Sequence, residues 1–127
     1  MSDHGTFCWN ELMTGDPAAA KQFYGTAIGW TFEDMPMPQG GTYTVAKAGD
    51  TMAGGIFNTA GTDMANLPEH WFSYIAVDDV DARCAKAKAA GGRIAREPFD
   101  VPGVGRIAII QQPGGGMVGW MTEAPPQ

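Results

Sequence analysis

The sequence is poor in cysteine, histidine and basic residues, and it has no long apolar run. Among 127 residues there are two cysteines, two histidines and eight lysines or arginines. No apolar stretch approaches the roughly 20 residues that cross a bilayer as a helix. The first ten residues also lack the basic and apolar regions of a signal peptide. We therefore expect a cytoplasmic protein that does not associate with membranes.

The shortage of positive charge excludes a second class of partner. The formal net charge is -6 and the sequence pI is about 4.6, so the surface repels a phosphate backbone. The basic residues form no cluster of the kind that nucleic-acid-binding domains carry. Nucleic acid is therefore not expected as a partner.

Several catalytic and nucleotide-binding motifs are also missing. Cys8 and Cys84 are isolated and form no CxxC pattern, which favours buried small apolar side chains over a disulfide. The chain contains no GxSxG, GxGxxG or GxxxxGK[ST] motif. Nucleophilic catalysis and phosphate binding by a glycine-rich loop therefore have no motif to support them.

What the chain does contain is an internal repeat, punctuated by 18 glycines and 9 prolines. Residues 8–16, CWNELMTGD, and residues 71–79, WFSYIAVDD, are apolar-rich runs at an offset of 63, and each leads into an alanine-rich stretch. Periodicity and turn residues predict the same order of elements twice. The first half has strands at 6–14, 30–33, 42–48 and 51–57, a helix at 18–27 and a loop at 35–41. The second half has strands at 70–77, 93–96, 104–111 and 117–122, a helix at 80–90 and a loop at 97–103.

Four strands and one helix in each half leave one face of each sheet uncovered, and that face needs a partner. We therefore predict an α+β fold in which two βαβββ modules form a cupped eight-strand mixed sheet. The domain is expected to span residues 1–127. Module 1 covers about 5–58, the linker about 59–68 and module 2 about 69–123.

Two stretches resemble a known family. ELMTGDPAAAKQFYGTAIGW is similar to the first module of the vicinal oxygen chelate superfamily, and YIAVDDVDARCAKAKAAGG with VPGVGRIAIIQQPGGG is similar to the second. The superfamily includes glyoxalase I, the bleomycin-resistance proteins and the extradiol dioxygenases. The resemblance covers about residues 5–122 and implies a glyoxalase-like fold and a homodimer. It does not imply one reaction, because the fold hosts many.

The resemblance also implies where a metal would bind. Family members with a metal place His or Glu near the start of each module's first strand and Glu on each last strand. Those places fall on Trp9, Phe72, about Gly119 and about Ile56, none of which is a cation ligand. We therefore expect no metal cofactor. The alternative is a shifted set of Glu11, His70 and a third donor, which would make the protein a metal-dependent lyase, isomerase or dioxygenase.

Glu11 and Tyr74 are the candidate catalytic residues. Strand alternation points Glu11 into the predicted cup, where loss of solvent would raise the pKa of the carboxyl and suit it to acid–base chemistry. Tyr74 occupies the equivalent place in the second half. Two plainer interpretations stay open. Glu11 is solvated or paired with an arginine such as Arg106, and the Tyr74 hydroxyl bonds to backbone or water.

Further residues share the cup-facing parity and are candidate ligand contacts. An aromatic and methionine lining suits a mostly apolar ligand, although the same side chains also suit core packing. His70 is a candidate proton shuttle, and the plainer interpretation is a histidine that faces solvent at the start of its strand. The predicted contacts are Trp9, Met13, His70, Phe72, Met117 and Met121.

The leading hypothesis is a glyoxalase/bleomycin resistance-like protein that binds a small, largely apolar molecule in the cup without the usual metal. Whether it only sequesters that molecule or also converts it is left open. A third hypothesis, from a different class, is an interaction subunit whose cup is filled by its own side chains.

Overall fold

The computed structural model describes residues 2–37 and 40–124 and contains the predicted elements in the predicted order. The fold class is confirmed: two successive βαβββ modules supply eight strands of mixed direction and two helices. In the part of the chain that the structure describes, neither helix is long and apolar enough to span a membrane. The elements are β1 Phe7–Thr14, α1 Pro17–Ile28, β2 Thr31–Pro36, β3 Thr42–Ala48, β4 Thr51–Asn58, β5 His70–Ala76, α2 Val80–Ala89, β6 Arg93–Val101, β7 Gly105–Gln111 and β8 Met117–Glu123.

Both helices begin at a capping aspartate. The Asp16 carboxylate accepts the Ala19 N–H at 3.1 Å, and the Asp79 carboxylate accepts the Ala82 N–H at 3.2 Å. Each bond satisfies one of the backbone donors that the first turn of a helix leaves without a partner. Helix α1 ends at Gly29, whose φ of 78° is the left-handed conformation that glycine adopts without strain.

The chain divides into two compact units. We call Asn10–Trp71 the Glu11 unit, and Met1–Trp9 together with Phe72–Gln127 the Tyr74 unit. The start of the chain belongs to the Tyr74 unit because it pairs with β5. The Gly5 N–H donates to the Ala76 carbonyl at 2.7 Å, and the Ala76 N–H donates to the Thr6 carbonyl at 2.8 Å.

In the Glu11 unit the strand order is β2-β3-β4-β1, with β1 parallel to β4 and the other pairs antiparallel. Helix α1 covers one face. Leu12, Ala20 and Ile56 are buried together there, and Tyr24 and Phe32 pack against them. Because strand side chains alternate between faces, Glu11 and Met13 lie on the face opposite α1.

In the Tyr74 unit the order is β5-β8-β7-β6, with β5 parallel to β8. Helix α2 covers one face of this sheet. The core on that side consists of Val77, Val80, Cys84, Ala87, Ala108, Ile110 and Val118, with Ile75, Ile94 and Trp120 packed against it. In each unit we call the other face of the sheet the helix-free face.

The predicted loop at 97–103 is wrong. Strand β6 continues to Val101, and its register against β7 shifts twice, between Ile94 and Arg96 and between Arg96 and Phe99. Pro98 suggested a loop because proline cannot donate to a strand ladder, but a bulged outer strand accommodates it. Strand β2 likewise runs to Pro36, into the predicted loop at 35–41, of which residues 38 and 39 lie outside the described residues.

Candidate functional site

A carboxylate and a phenol form a pair on the helix-free face of the Glu11 unit. The Tyr43 hydroxyl on β3 donates to Glu11 Oε2 on β1 at 2.6 Å. Glu11 is half-buried. A short hydrogen bond to a carboxylate is among the stronger polar contacts in proteins, so this pair is a positioned polar group rather than a solvated side chain.

The pair depends on a glycine between its members. Gly55 on β4 is the register partner of Glu11 on one side and of Val45 on the other. A Cβ at Gly55 would lie 1.7 Å from the Tyr43 hydroxyl oxygen. Only glycine therefore leaves room for the phenol to cross β4 and reach Glu11.

Tyr43 is a functional candidate that the sequence analysis missed. Tyr43 lies two residues along β3 from Val45 and so shares a face with it. Val45 is in the same row of register partners as Glu11, so only the pairing of strands connects Tyr43 to Glu11. Strand β3 was predicted correctly, but the partner of Glu11 depends on the register between strands, and the period of one strand does not contain that information.

The Tyr74 unit repeats the device with different side chains. Tyr74 on β5 is the register partner of Gly119 on β8. A Cβ at Gly119 would lie 2.3 Å from Cδ1 of the Tyr74 ring. The ring is buried and meets Phe72 edge to face, with centroids 5.2 Å apart. Because Ile75 packs on the α2 side, both rings lie on the helix-free face.

The predicted methionines divide between the units. Met121 is buried and pairs in register with Ile107, whereas Met117, at the start of β8, is 47% exposed. Met13 is buried in the Glu11 unit, on the same face as Glu11. Met117 and Met121 share a face with Gly119 because they lie two residues from it along β8. All three methionines thus lie on helix-free faces, and their contact with a ligand stays a prediction.

Trp9 is the third residue of β1, and His70 is the first residue of β5. Trp9 is half-buried in β1. His70 is exposed, and its Nδ1 lies 2.7 Å from the Pro68 carbonyl oxygen, to which it donates. A role for either residue in binding a ligand is untested by this geometry.

Arg106, considered as a partner for Glu11, is engaged elsewhere. Its guanidinium donates to Asp81 at 2.7 and 3.1 Å and to Asp100 at 3.1 Å. These hydrogen bonds raise the pKa of Arg106, and the bond to Arg106 lowers the pKa of Asp81. The group ties α2 to β6 and β7 and is a structural ion cluster.

The two thiols are poor nucleophiles. Burial raises the pKa of Cys8 and of Cys84, with a smaller contribution from the Glu123 charge at Cys8 and the Glu97 charge at Cys84. Cys84 lies in the core under α2, and the Cys8 thiol donates weakly to the Tyr74 carbonyl at 3.6 Å. Because the thiolate is the reactive form, the structure gives no support to thiol chemistry.

One position in the metal comparison needs correction. The register places Gly55, rather than Ile56, opposite Glu11, and Ile56 is 1% exposed in the core under α1. A slip of one residue moves a side chain to the other face, which is why an offset of 63 applied to β4 selected the wrong residue. The corrected position is a glycine and is still not a ligand.

The donor set therefore does not fit the metal centre that the resemblance implies. The side chains at the four implied positions cannot supply a ligand atom to a metal. Two are the aromatic rings of Trp9 and Phe72, and two are glycines, Gly55 and Gly119. Within residues 2–37 and 40–124, no three His, Cys, Asp or Glu side chains form a group that could hold a metal ion. The absence of a metal from the protein remains a prediction.

The chain is similar to proteins of several names. "Putative glyoxylase CFP32" of Mycobacterium tuberculosis is 42% identical over 127 residues, which are 100% of this chain and 48% of that protein. "Anthracycline biosynthesis protein DnrV" of Streptomyces peucetius is 30% identical over 122 residues, 87% of this chain and 44% of that protein. The chain thus spans about half the length of these curated relatives.

The fold is shared with solved structures. The crystal structure of methylmalonyl-CoA epimerase from Mycobacterium tuberculosis superposes with a TM-score of 0.67 at 16% identity, covering 98% of this chain and 93% of that one. At this identity the likeness concerns the fold alone. The family model for the Glyoxalase/Bleomycin resistance protein/Dioxygenase superfamily matches residues 6–119. The chain therefore belongs to that superfamily.

Proposed function

We propose that this protein binds a small, largely apolar molecule on a helix-free face of its sheet, with the Glu11–Tyr43 pair as polar anchor in the Glu11 unit. The supporting observation is the 2.6 Å hydrogen bond between Tyr43 and Glu11 above a glycine that leaves room for it. A pocket that is mostly apolar with a few positioned polar groups is the common form of a small-molecule site.

The chemistry of the pair suits a ligand with a hydrogen-bond donor. Tyr43 donates to one oxygen of Glu11, and a carboxylate with two oxygens accepts several hydrogen bonds at once. A hydroxyl, amide or ammonium group of the ligand is the kind of donor that such a carboxylate accepts. The names of the relatives, a glyoxylase and an anthracycline biosynthesis protein, are consistent with small-molecule chemistry.

Tyr74 is the candidate polar group on the helix-free face of its own unit, and it would act through its hydroxyl. Met13 would contribute apolar surface on the face that carries Glu11, and Phe72, Met117 and Met121 on the face that carries Tyr74. Trp9 and His70 are further candidate contacts. The proposal includes a homodimer and excludes the family's usual metal, because the donor set described above does not fit it.

The first test is a thermal-shift screen of metabolites and antibiotics against the wild type, Glu11→Gln and Tyr43→Phe. A ligand at 100 times its dissociation constant stabilises the folded state by roughly 2.7 kcal/mol, which such a screen detects. We expect hits on the wild type whose shift falls in both variants. Asp50→Asn, which removes the same charge in the exposed β3–β4 turn, is the matched control.

A ligand that binds Glu11→Gln and Tyr43→Phe as tightly as the wild type would refute the anchoring role. Turnover is tested on the same hits. Product formed over many cycles indicates an enzyme, and stoichiometric binding without product indicates sequestration.

The metal is tested separately, by elemental analysis of protein purified without a histidine tag. A functional metal site would bind about one metal ion per chain. We therefore expect Zn, Ni, Mn and Fe each to stay below about a tenth of an equivalent. One equivalent that is lost in Glu11→Gln or His70→Ala would favour the alternative, a metal-dependent lyase, isomerase or dioxygenase.

A further inference from the structure

Arg96 on β6 carries a positive charge that no carboxylate within residues 2–37 and 40–124 neutralises. Its guanidinium carbon lies 3.8 Å from the centroid of the Phe99 ring. In the described residues the Arg96 side chain has no ion pair and no hydrogen bond, although the chain has 14 carboxylate residues and a net charge of -6. Arg83 and Arg106, in contrast, are bonded to aspartates.

The two bulges of β6 create the stack. Arg96 pairs in register with Ile109 and Phe99 pairs with Ile107, so β6 uses three residues where β7 uses two. In a regular strand, residues three apart point to opposite faces. The extra residue brings Arg96 and Phe99 to one face, which is a known use of bulges near functional sites.

That face is the helix-free face of the Tyr74 unit. Ala108 and Ile110 pack toward α2, so Ile107 and Ile109 point the other way, with Arg96 and Phe99. One row of register partners runs from Arg96 through Ile109 and Gly119 to Tyr74. With strands about 4.8 Å apart, the row spans roughly 14 Å.

The row therefore has a cation at one end, a phenol at the other and apolar surface between them. Ile107 and Met121, partners in the neighbouring row, extend the apolar surface, and Gly119 adds no side chain. A guanidinium on an aromatic ring presents several N–H donors in one plane, the geometry that matches a carboxylate, phosphate or sulfonate.

We propose that Arg96 is an anion-binding residue and that the ligand carries a carboxylate, phosphate or sulfonate group on an apolar body. The anion would bind to Arg96 and the body would lie across Ile107, Ile109 and Met121. This inference rests on the proposed function, because it specifies the charge of a small molecule that the proposed function assigns to a helix-free face. It concerns the Tyr74 unit alone, so its test does not involve Glu11 or Tyr43.

Two fluorescent probes that differ only in the charged group provide the test. 8-Anilinonaphthalene-1-sulfonate carries a sulfonate, and N-phenyl-1-naphthylamine is the same frame without it. Each is titrated into the wild type, Arg96→Gln, Arg96→Lys and Lys86→Gln, and fluorescence is followed at low and high salt. Lys86→Gln removes the same charge from α2, on the other side of the sheet.

We expect Arg96→Gln to weaken sulfonate binding about five- to tenfold, between the values for an exposed ion pair and for a charged hydrogen bond, because the Arg96 side chain is exposed. The uncharged probe should change less than about twofold, and Lys86→Gln should affect neither probe by more than that, because screening weakens remote charges. Arg96→Lys should give an intermediate loss, because an ammonium keeps the charge without the planar fork.

The inference fails if the two probes weaken equally in Arg96→Gln, if Lys86→Gln matches Arg96→Gln, or if the wild type does not bind the sulfonate. If Glu11→Gln does not change the thermal shift caused by a screening hit, the anchoring role of Glu11 is refuted. The difference between the two probes in Arg96→Gln would be unaffected by that result. The failures of the two proposals are therefore distinguishable.

Discussion

The two units share one backbone arrangement but place different polar side chains on it. In each, the first strand of a module runs parallel to its last strand, and a glycine on the last strand is the register partner of a polar residue on the first. In the Glu11 unit that residue is a carboxylate that accepts from Tyr43. In the Tyr74 unit it is a phenol that packs against Phe72.

The comparison shows how a duplicated fold separates scaffold from site. The buried residues under α1 and α2 do the same work in both units, since each group covers one sheet face with a helix. The helix-free faces have diverged, with an acceptor on one and a phenol and a cation on the other. Four predictions test this separation, in order of decreasing effect.

The largest effect is expected in the cores. Ile56→Ala and Ile110→Ala should each lower the free energy of unfolding by about 2–5 kcal/mol, because each removes a buried side chain next to a helix. Urea denaturation measures the loss, with exposed Met52→Ala as control. A loss below about 0.5 kcal/mol for Ile56→Ala, typical of surface positions, would mean that Ile56 does not face α1.

The glycines should distinguish the two faces. Gly119→Ala places a methyl group against the buried Tyr74 ring and should cost about 1–3 kcal/mol in unfolding free energy. Gly55→Ala would place its methyl group against the far end of the Tyr43 side chain, which comprises the hydroxyl and the ring atoms Cζ and Cε2. That end can turn away, so the change should cost less stability but lose the bond to Glu11. Gly114→Ala, which meets no neighbour within 4 Å, is the control. Equal losses at Gly55 and Gly119 would contradict the contrast.

The capping aspartates should behave alike. Asp16→Ala and Asp79→Ala should each lower the unfolding free energy by about 1 kcal/mol, because each removes the acceptor for one N–H of the first turn. Asp16→Asn and Asp79→Asn keep an acceptor and should cost little. If one Asp→Ala change left the unfolding free energy unaltered while the other lowered it by the full amount, the two helix caps would not be equivalent.

The smallest effect depends on pH. Hydrogen bonds from Thr44 and then Lys21 lower the pKa of Asp34. A lowered folded-state pKa stabilises the protein above the unfolded value near 3.9, and that stability is lost as pH falls through the folded pKa. Asp34→Asn should therefore cost a few tenths of a kcal/mol at pH 7, because the group is largely exposed. The difference in unfolding free energy between wild type and Asp34→Asn should shrink below about pH 4. Urea denaturation at several pH values measures it. A difference that grew in acid would contradict the prediction.

Much of the scaffold could be predicted from the sequence because its signals are local. Asp16, Asp79 and Gly29 mark helix ends by their own chemistry, and strand alternation placed Glu11 and Leu12 on opposite faces. The repeat at an offset of 63 supplied the order of the elements.

The missed features all depend on register. Tyr43 reaches Glu11 only through the pairing of β3, β4 and β1, and the confusion of Ile56 with Gly55 was a slip of one residue. The loop predicted at 97–103 hid Arg96 and Phe99, because Pro98 ends a regular strand but not a bulged one. Hydrogen bonding between strands determines all three, and the pattern within a single strand does not record it.

The distortion of β6 also affects what can associate with the protein. Strand β6 is outermost in the strand order, and a regular outer strand offers a row of N–H and C=O groups to any foreign strand. Two shifts of register and the missing N–H of Pro98 interrupt that row. The irregularity that turns Arg96 toward Phe99 thus also protects this border of the sheet against aggregation.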